Sequence, residues 1–197
     1  MPEVTLGFWL IKIAATTLGE TGGDAVSMSM NLGYLVGTGI FAVIFLAAVV
    51  AQVKAKGFHP FLYWTTIIAT TTIGTTLADF ADRSLGIGYA GGSSLLLALL
   101  LGSLFVWHRT LGSVSVSTVS SPKAEAFYWL TIMFSQTLGT ALGDWMADTA
   151  GLGYTGAAVV FSGLLALVVA AYRGGLTRSD SFLRFLSGTS EAIMLPI

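Results

Sequence analysis

Apolar residues along this chain run in stretches near 20 long, broken by short glycine-bearing turns and by a few polar loops. A run of that length, wound as a helix rising 1.5 Å per residue, crosses roughly 30 Å of hydrocarbon. Six such helices are predicted, at about Phe8–Met28, Tyr34–Val53, Pro60–Asp82, Gly91–Trp107, Ala126–Asp148 and Tyr154–Tyr172. The first has no basic flank before it and no small-residue cleavage pattern after it, so it reads as a retained helix and not a signal peptide. Three connections are short and carry glycine: Asn31-Leu-Gly-Tyr34, Leu85-Gly-Ile-Gly-Tyr89 and Gly151-Leu-Gly-Tyr154. The others are polar, notably Gly112–Lys123 and Gly174–Ser181.

A threefold repeat underlies this pattern. Trp9, Thr17, Gly19 and Asp24 recur without a gap as Trp64, Thr72, Gly74 and Asp79, and again as Trp129, Thr137, Gly139 and Asp144. Each copy is a motif helix followed by a glycine turn and a plain apolar helix, so the repeats are parallel, related about an axis along the membrane normal. A pseudo-threefold bundle would bring the three motifs to one depth. At 100° per residue, one face of the first motif helix spans about 80° and holds Trp9, Thr16, Glu20 and Asp24. The corresponding faces hold Trp64, Thr71, Thr75 and Asp79, and Trp129, Gln136, Thr140 and Asp144. Such a polar stripe is expected inside the bundle, because lipid cannot satisfy it.

Composition turns this pattern into a fold class. Of the 197 residues, 54% are hydrophobic and 10% charged, against about 25% charged in an ordinary soluble domain. The expectation is an all-α membrane protein: six transmembrane helices as three parallel two-helix repeats. The membrane domain would cover residues 1–175, with repeats at about 7–56, 60–109 and 124–173. Residues 176–197 form either a degenerate seventh helix or a tail. The absence of Cys excludes disulfides, thiolate metal sites and Cys nucleophiles, and the net charge of −1 gives no basic excess for nucleic acid. Seven of the nine Lys and Arg (Lys54, Lys56, Arg109, Lys123, Arg173, Arg178 and Arg184) fall at one end of the helices. That end, with both termini, is placed in the cytoplasm. Lys12 lies inside the first helix and Arg83 at the outer edge.

Six of the ten acidic residues (Glu20, Asp24, Asp79, Asp82, Asp144 and Asp148) lie in or just after the motifs. Glu20–Asp24 and Asp144–Asp148 are spaced i,i+4 and Asp79–Asp82 i,i+3, so each pair shares a helix face. Carboxylates and Thr hydroxyls make an all-oxygen environment, which suits a bound hard cation such as Ca²⁺, Mg²⁺ or Mn²⁺, or protons. The candidate cation-binding residues are therefore Glu20, Asp24, Thr75, Asp79, Thr140 and Asp144, with metal ligation assigned to Glu20, Asp24, Asp79 and Asp144. Lys12, Thr17, Thr72, Asp82, Thr137 and Asp148 form a second rank. No resident cofactor is implied.

The competing reading is packing. Gly and Thr at helix interfaces commonly serve close approach and hydrogen bonding. Asp82 and Asp148 also read as solvated helix ends, the three Trp as interfacial anchors, and Lys12 as snorkelling or as a counter-ion to Glu20. His59 and His108 sit at helix ends. No nucleophile–base pair, phosphate loop or HExxH is present, so enzyme chemistry is not expected.

At Phe8-Trp9…Lys12…Thr17-Leu-Gly-Glu20…Asp24, Gly74-Thr75…Asp79 and Phe127-Tyr-Trp-Leu130…Leu138-Gly-Thr-Ala141…Gly143-Asp144, the chain resembles a family of uncharacterised prokaryotic multi-pass membrane-anchored proteins. The likeness spans about Gly7 to Tyr172. It implies a polytopic protein of the prokaryotic plasma membrane with no established activity, and a fourth motif helix. Here Ser181–Ile197 offers only Phe182-Leu-Arg-Phe185 and Gly188-Thr-Ser-Glu191, without a matching Trp or Asp. A looser similarity in chemistry links Glu20…Gly23-Asp24 and Gly143-Asp144 to cation/proton exchangers with Glu-x-Gly-Asp helices, at a different spacing. The function expected is transport or export of a small cation, metal or proton-coupled. The alternative is a non-transporting membrane scaffold or accessory subunit. The expected partners are the lipid bilayer and a small cation or proton, with a homo-oligomer compatible but not specified by the sequence; nucleic acid is not among them.

Overall fold

A computed structural model describes residues 5–55, 57–114 and 121–173 of the chain. The expectation for residues 176–197 lies outside the described residues, as do Lys56, Arg178 and Arg184. The described part is all-helical: α1 (Leu6–Asp24), α2 (Tyr34–Lys54), α3 (Pro60–Asp79), α4 (Gly88–Leu111), α5 (Pro122–Asp144) and α6 (Gly153–Arg173). Starts are set by ordinary capping. The Thr5 side chain accepts from Phe8 N and that of Ser121 from Ala124 N, each at 3.2 Å, and Pro60 and Pro122 open α3 and α5. The helix pairs α1–α2, α3–α4 and α5–α6 are the three sequence repeats.

The motif helices end differently from the expectation. Directly after Asp24, Asp79 and Asp144 the helix widens into a five-residue π-helical turn, at Ala25–Ser29, Phe80–Ser84 and Trp145–Thr149. In the first of these, Met30 N donates to Ala25 O at 2.9 Å, five residues back. Each π turn leads into a connection whose second and fourth residues after it bend through left-handed backbone. These are Asn31 and Gly33 (φ 55° and 79°), Gly86 and Gly88 (71° and 65°), and Gly151 and Gly153 (68° and 64°). Asn and Gly are the residues that tolerate this conformation.

The chain divides into two compact units, residues 1–145 and 146–197. The second contains α6, apolar over Gly153–Leu167. In the first, α3 is the central element: it packs against α1, α2 and α5, and 13 of its 20 residues are buried. In α1 only Ala15, Gly19 and Gly23 are buried. The motif helices of this unit therefore form a row with α3 in the middle, where a symmetric threefold cluster had been expected. The core beside Trp129 gathers Phe45, Tyr63, Ile67, Ile73 and Met133; a smaller one joins Ala78, Ala81, Leu96 and Ala141.

Glycine sets the spacing of the row. A Cβ on Gly19 would stand 2.7 Å from Thr71 Cβ and 3.0 Å from Ile68 O; one on Gly23 would stand 3.4 Å from Thr75 Cβ. The four-residue step on both helices makes α1 and α3 parallel. The equivalent Gly74 of α3 meets Thr137 of α5, with backbone N and Oγ1 both at 3.2 Å from its Cβ position. Gly139, the third member, has nothing within 4 Å. Gly19→Ala and Gly74→Ala are therefore expected to destabilise the fold by about 1–2 kcal/mol, the net of overpacking and better helix propensity. Gly139→Ala is expected to be neutral or mildly stabilising. Thermal unfolding of the three variants in detergent checks the contrast.

Candidate functional site

The polar groups along α3 divide into those that satisfy themselves and those that do not. Thr66, Thr70, Thr71, Thr72 and Thr76 each donate to a carbonyl three or four residues back in their own helix, at 2.7–3.3 Å, as Thr137 does to Met133 O at 2.8 Å. Between helices, Gln136 Oε1 shares the single Thr71 hydroxyl proton with Ile67 O, and Gln136 Nε2 donates to Thr70 Oγ1 at 3.4 Å. These bonds explain most of the threonine stripe as helix-backbone and interhelical pairing. Thr75 is the exception: it is buried, and its Oγ1 has no partner among the described residues.

At the π-turn end the acids gather around Arg83. Its Nε lies 3.3 Å from Asp79 Oδ1, one helical turn back, and its Nη2 lies 3.1 Å from Asp144 Oδ2 on α5. Nη1 donates to Tyr34 Oη at 3.3 Å, and the guanidinium carbon stands 6.0 Å from the ring centres of both Tyr34 and Tyr89. A guanidinium holds five donors in a planar fork, so it can bridge two carboxylates on different helices while lying against aromatic rings. Asp24 and Asp82 lie within its electrostatic reach, and Glu20 within that of Asp24 and Asp144. Four carboxyls thus share one cation, and Glu20 lies beside two of the four.

Two of those carboxyls are deeply enclosed. Asp79 is 2% exposed and its Oδ2 has no partner among the described residues; Asp82 is 5% exposed with neither oxygen partnered. This corrects the expectation that Asp82 is a solvated helix end. Its position is buried in every repeat, but the other copies carry Ser27 and Ala147 there. The carboxylate fits because the facing residue on α4 is Gly92, where a Cβ would overlap Asp82 Oδ1. Ser93, next in α4, is also buried, and its hydroxyl has no partner among the described residues.

The other expected site residues scatter. Glu20, Thr17 and Asp148 are exposed; Lys12, Asp24 and Thr140 are half-buried; Thr72 and Thr137 are buried. The polar stripe of α1 thus partly faces outward, because its glycines, not its threonines, face α3. Glu20 is coupled to Asp24 and Asp144, not to Lys12. Asp148 belongs to the second unit. The metal set Glu20, Asp24, Asp79 and Asp144 surrounds a guanidinium, and among the described residues no three acidic or His side chains converge as a metal-binding group. The shared anchor role of the Trp residues is also corrected: Trp9 is 52% exposed, whereas Trp129 is 1% exposed and part of the core.

Arg83 and Tyr34 were not among the expected site residues. Their signals were present: Arg83 is the one base at its end of the predicted helices, beside Asp79 and Asp82, and a Tyr follows the glycine turn in each repeat.

Residues 7–58, 62–113 and 127–174 each match a family model described as a repeat of unknown function (DUF347), one match per helix pair. No curated protein and no solved structure matches the chain.

Removing the central cation leaves Asp79 buried without its partner. Arg83→Gln is expected to cost on the order of 2–4 kcal/mol, somewhat under the range for fully buried pairs because the Arg83 side chain is 29% exposed. Asp79→Asn/Arg83→Gln together should recover part of that loss. Unfolding midpoints of the single and double variants measure it.

Proposed function

The chain belongs to the DUF347 repeat family, and we propose that it is a multi-pass membrane protein that moves a small cation across the bilayer in exchange for protons at the Arg83 cluster. The observation that carries this reading is the excess of carboxyl groups: Asp79 and Asp82 are enclosed, three more acids lie near, and one guanidinium serves four of the five. Unpaired carboxylates are too costly to keep in a low-dielectric interior. The surplus must therefore carry protons or a mobile cation, and exchanging one for the other is the elementary act of coupled transport.

Membrane insertion is supported by the helices themselves. Among the described residues, α2 and α4 are long and apolar enough to cross a bilayer, yet only 17% and 28% of their apolar windows are buried. A soluble core helix of such composition would be mostly enclosed. Exposed Leu35, Val43, Leu46, Leu101 and Phe105 need an apolar surrounding that lipid supplies. The basic residues Lys54, Arg109 and Lys123 favour a cytoplasmic position for their end of the helices, which would put Arg83 on the outer side.

In this mechanism Arg83 is the fixed charge. It holds Asp79 and Asp144 together, lowering the cost of ionising them, while Asp82 takes up and releases a proton beside it. A cation arriving from the outer side competes with Arg83 for Asp144, the more exposed of its two partners at 18% against 2%. The self-satisfied threonines favour a second reading, a scaffold whose motifs only pack helices, since such bonding is what a rigid interface requires.

Reconstitution into liposomes separates the two. Under an imposed pH gradient, the protein should drive uptake of at least one of Na⁺, K⁺, Mg²⁺, Ca²⁺ or Mn²⁺. Asp82→Asn should reduce coupled flux by about tenfold or more, the loss expected for a proton-transfer group, with its unfolding midpoint unchanged. Flux equal to empty liposomes for every ion assigns the protein to the scaffold reading. Because the chain lacks Cys, single replacements also test topology. Leu85→Cys should react with an impermeant maleimide added outside intact cells, and Ser113→Cys only after permeabilisation.

A further inference from the structure

Each motif helix carries the same two faces, and the chain shows twice how they fit. One face is small: Ala15, Gly19 and Gly23 on α1, Thr70, Gly74 and Ala78 on α3, and Ser135, Gly139 and Gly143 on α5. The other holds the motif Trp and the residues four and eight later. These are Trp9, Ile13 and Thr17, then Trp64, Ile68 and Thr72, then Trp129, Met133 and Thr137. The small face of α1 is buried against α3, where Gly19 meets Ile68 O and Thr71 and Gly23 meets Thr72 O. The small face of α3 is buried in turn, with Gly74 at Thr137 of α5. One aromatic pair recurs at the end of both seams away from the acids. Phe8 and Trp64 centres are 5.4 Å apart, and those of the equivalent Tyr63 and Trp129 5.7 Å.

Three motif helices in a row make two such seams and leave one face of each kind over. On α5, Ser135 and Gly139 are exposed, and a Cβ on Gly139 or Gly143 meets nothing within 4 Å among the described residues. On α1, Trp9 is 52% and Ile13 61% exposed, whereas the equivalent Trp129 and Met133 on α5 are 1% and 6%. Thr17 is exposed where Thr137 is fully buried. The two leftover faces are therefore complementary by the fit already present in the chain. Close backbone approach at glycine, packed by larger side chains of the neighbour, is what joins helices in an apolar surrounding.

One occupant covers both faces, a second copy of this chain. A capping segment of another kind would fill the seat on α5 and leave Trp9 and Ile13 bare. Nor does α5 seat on α1 of its own chain, because α3 lies between them and the Gly139 face is open. Both existing seams join parallel helices, so a copy added by the same fit keeps the same orientation across a bilayer. We propose that the Gly139 face of α5 receives α1 of a second copy, with Gly139 against the partner's Thr17 and Tyr128 against the partner's Trp9. The pairing is head to tail, since the two chains use different faces. It goes beyond the exchange reading above and stands whether or not the Arg83 cluster moves protons.

The chain has no Cys, so single replacements report contact between copies. Thr17→Cys and Gly139→Cys, coexpressed under two different tags and oxidised in detergent, should yield a disulfide-linked pair carrying both tags. The equivalent seat sets the expectation: the Gly74 Cβ position is 3.5 Å from Thr137 Cα, within disulfide reach. Either variant expressed alone should stay unlinked. Gly139→Leu should weaken association of the full chain by about tenfold or more, read by sedimentation, as an overpacked seam requires. Gly102→Leu, at an exposed α4 glycine with equally open surroundings, should leave association unchanged. So should Asp82→Asn, which separates failure of this surface from failure of the exchange reading. Diluted to single chains, Gly139→Leu should unfold at the same temperature as the unaltered protein, so a lost signal reflects the surface and not the fold. Absence of a two-tag link, like variants linking as strongly as unlike ones, or equal weakening by Gly102→Leu overturns the proposal.

Discussion

The close contact between successive motif helices is the constraint on which the rest depends. Gly19 seats against Thr71 and Gly74 against Thr137 with no room for a methyl group. The acid of each motif follows its glycine by five residues, so parallel helices held at this distance bring Asp24, Asp79 and Asp144 to similar levels. Only then can one Arg83 side chain reach Asp79 on its own helix and Asp144 on the next. A wider spacing would leave the guanidinium with its local partner alone and Asp144 without it. The glycines therefore act on the electrostatics through geometry, although none carries a polar side chain.

The π turns do the complementary work along each helix. A regular α-helix continued past Asp79 would rotate residues 80–84 by 100° per step. The wider turn slows that rotation, so that Asp82 is directed at Gly92 while Arg83 still returns to Asp79. Wide turns of this kind recur at functional sites because they redirect side chains without ending the helix. The hydroxyls along α3 are meanwhile absorbed by their own backbone. Among the described residues, unspent polar capacity is thus concentrated at two ends: Thr38, Thr75, Asp79, Asp82 and Ser93 at one, and Gln52 and Trp129 at the other.

Much of this was legible in the sequence. The six helices, the threefold period and the position of the acidic motifs follow from residue spacing, and the family match falls on the same three stretches. The π turns were not legible, since a helical hydrophobic period over 20 residues is insensitive to one extra residue near its end. A base beside a turn, such as Arg83, reads in sequence as a topological marker; its role appears only when α5 brings Asp144 alongside. The Trp residues misled by being equivalent in sequence. Trp9 lies on a peripheral helix and Trp129 against Tyr63 in the core, and nothing in the motif distinguishes them.

That last difference is general. Three copies of one motif cannot be equivalent in a row, because the middle helix alone has a motif helix on either side. Met28, Arg83 and Asp148 occupy one repeat position, and Ser27, Asp82 and Ala147 the position before it. Only the central copy carries the Asp-Arg pair. A guanidinium at the first copy would have its own Asp24 and one neighbouring helix; at the centre it finds Asp79 beneath it, Asp144 on α5 and Asp24 of α1 within reach. Burial, too, is greatest there, so an ionisable group at position 82 is held away from water where the Ser and Ala of the other copies need no charge compensation. Among the described residues, the most polar cluster has therefore settled on the most enclosed helix, the one place where neighbours on both sides can share its cost.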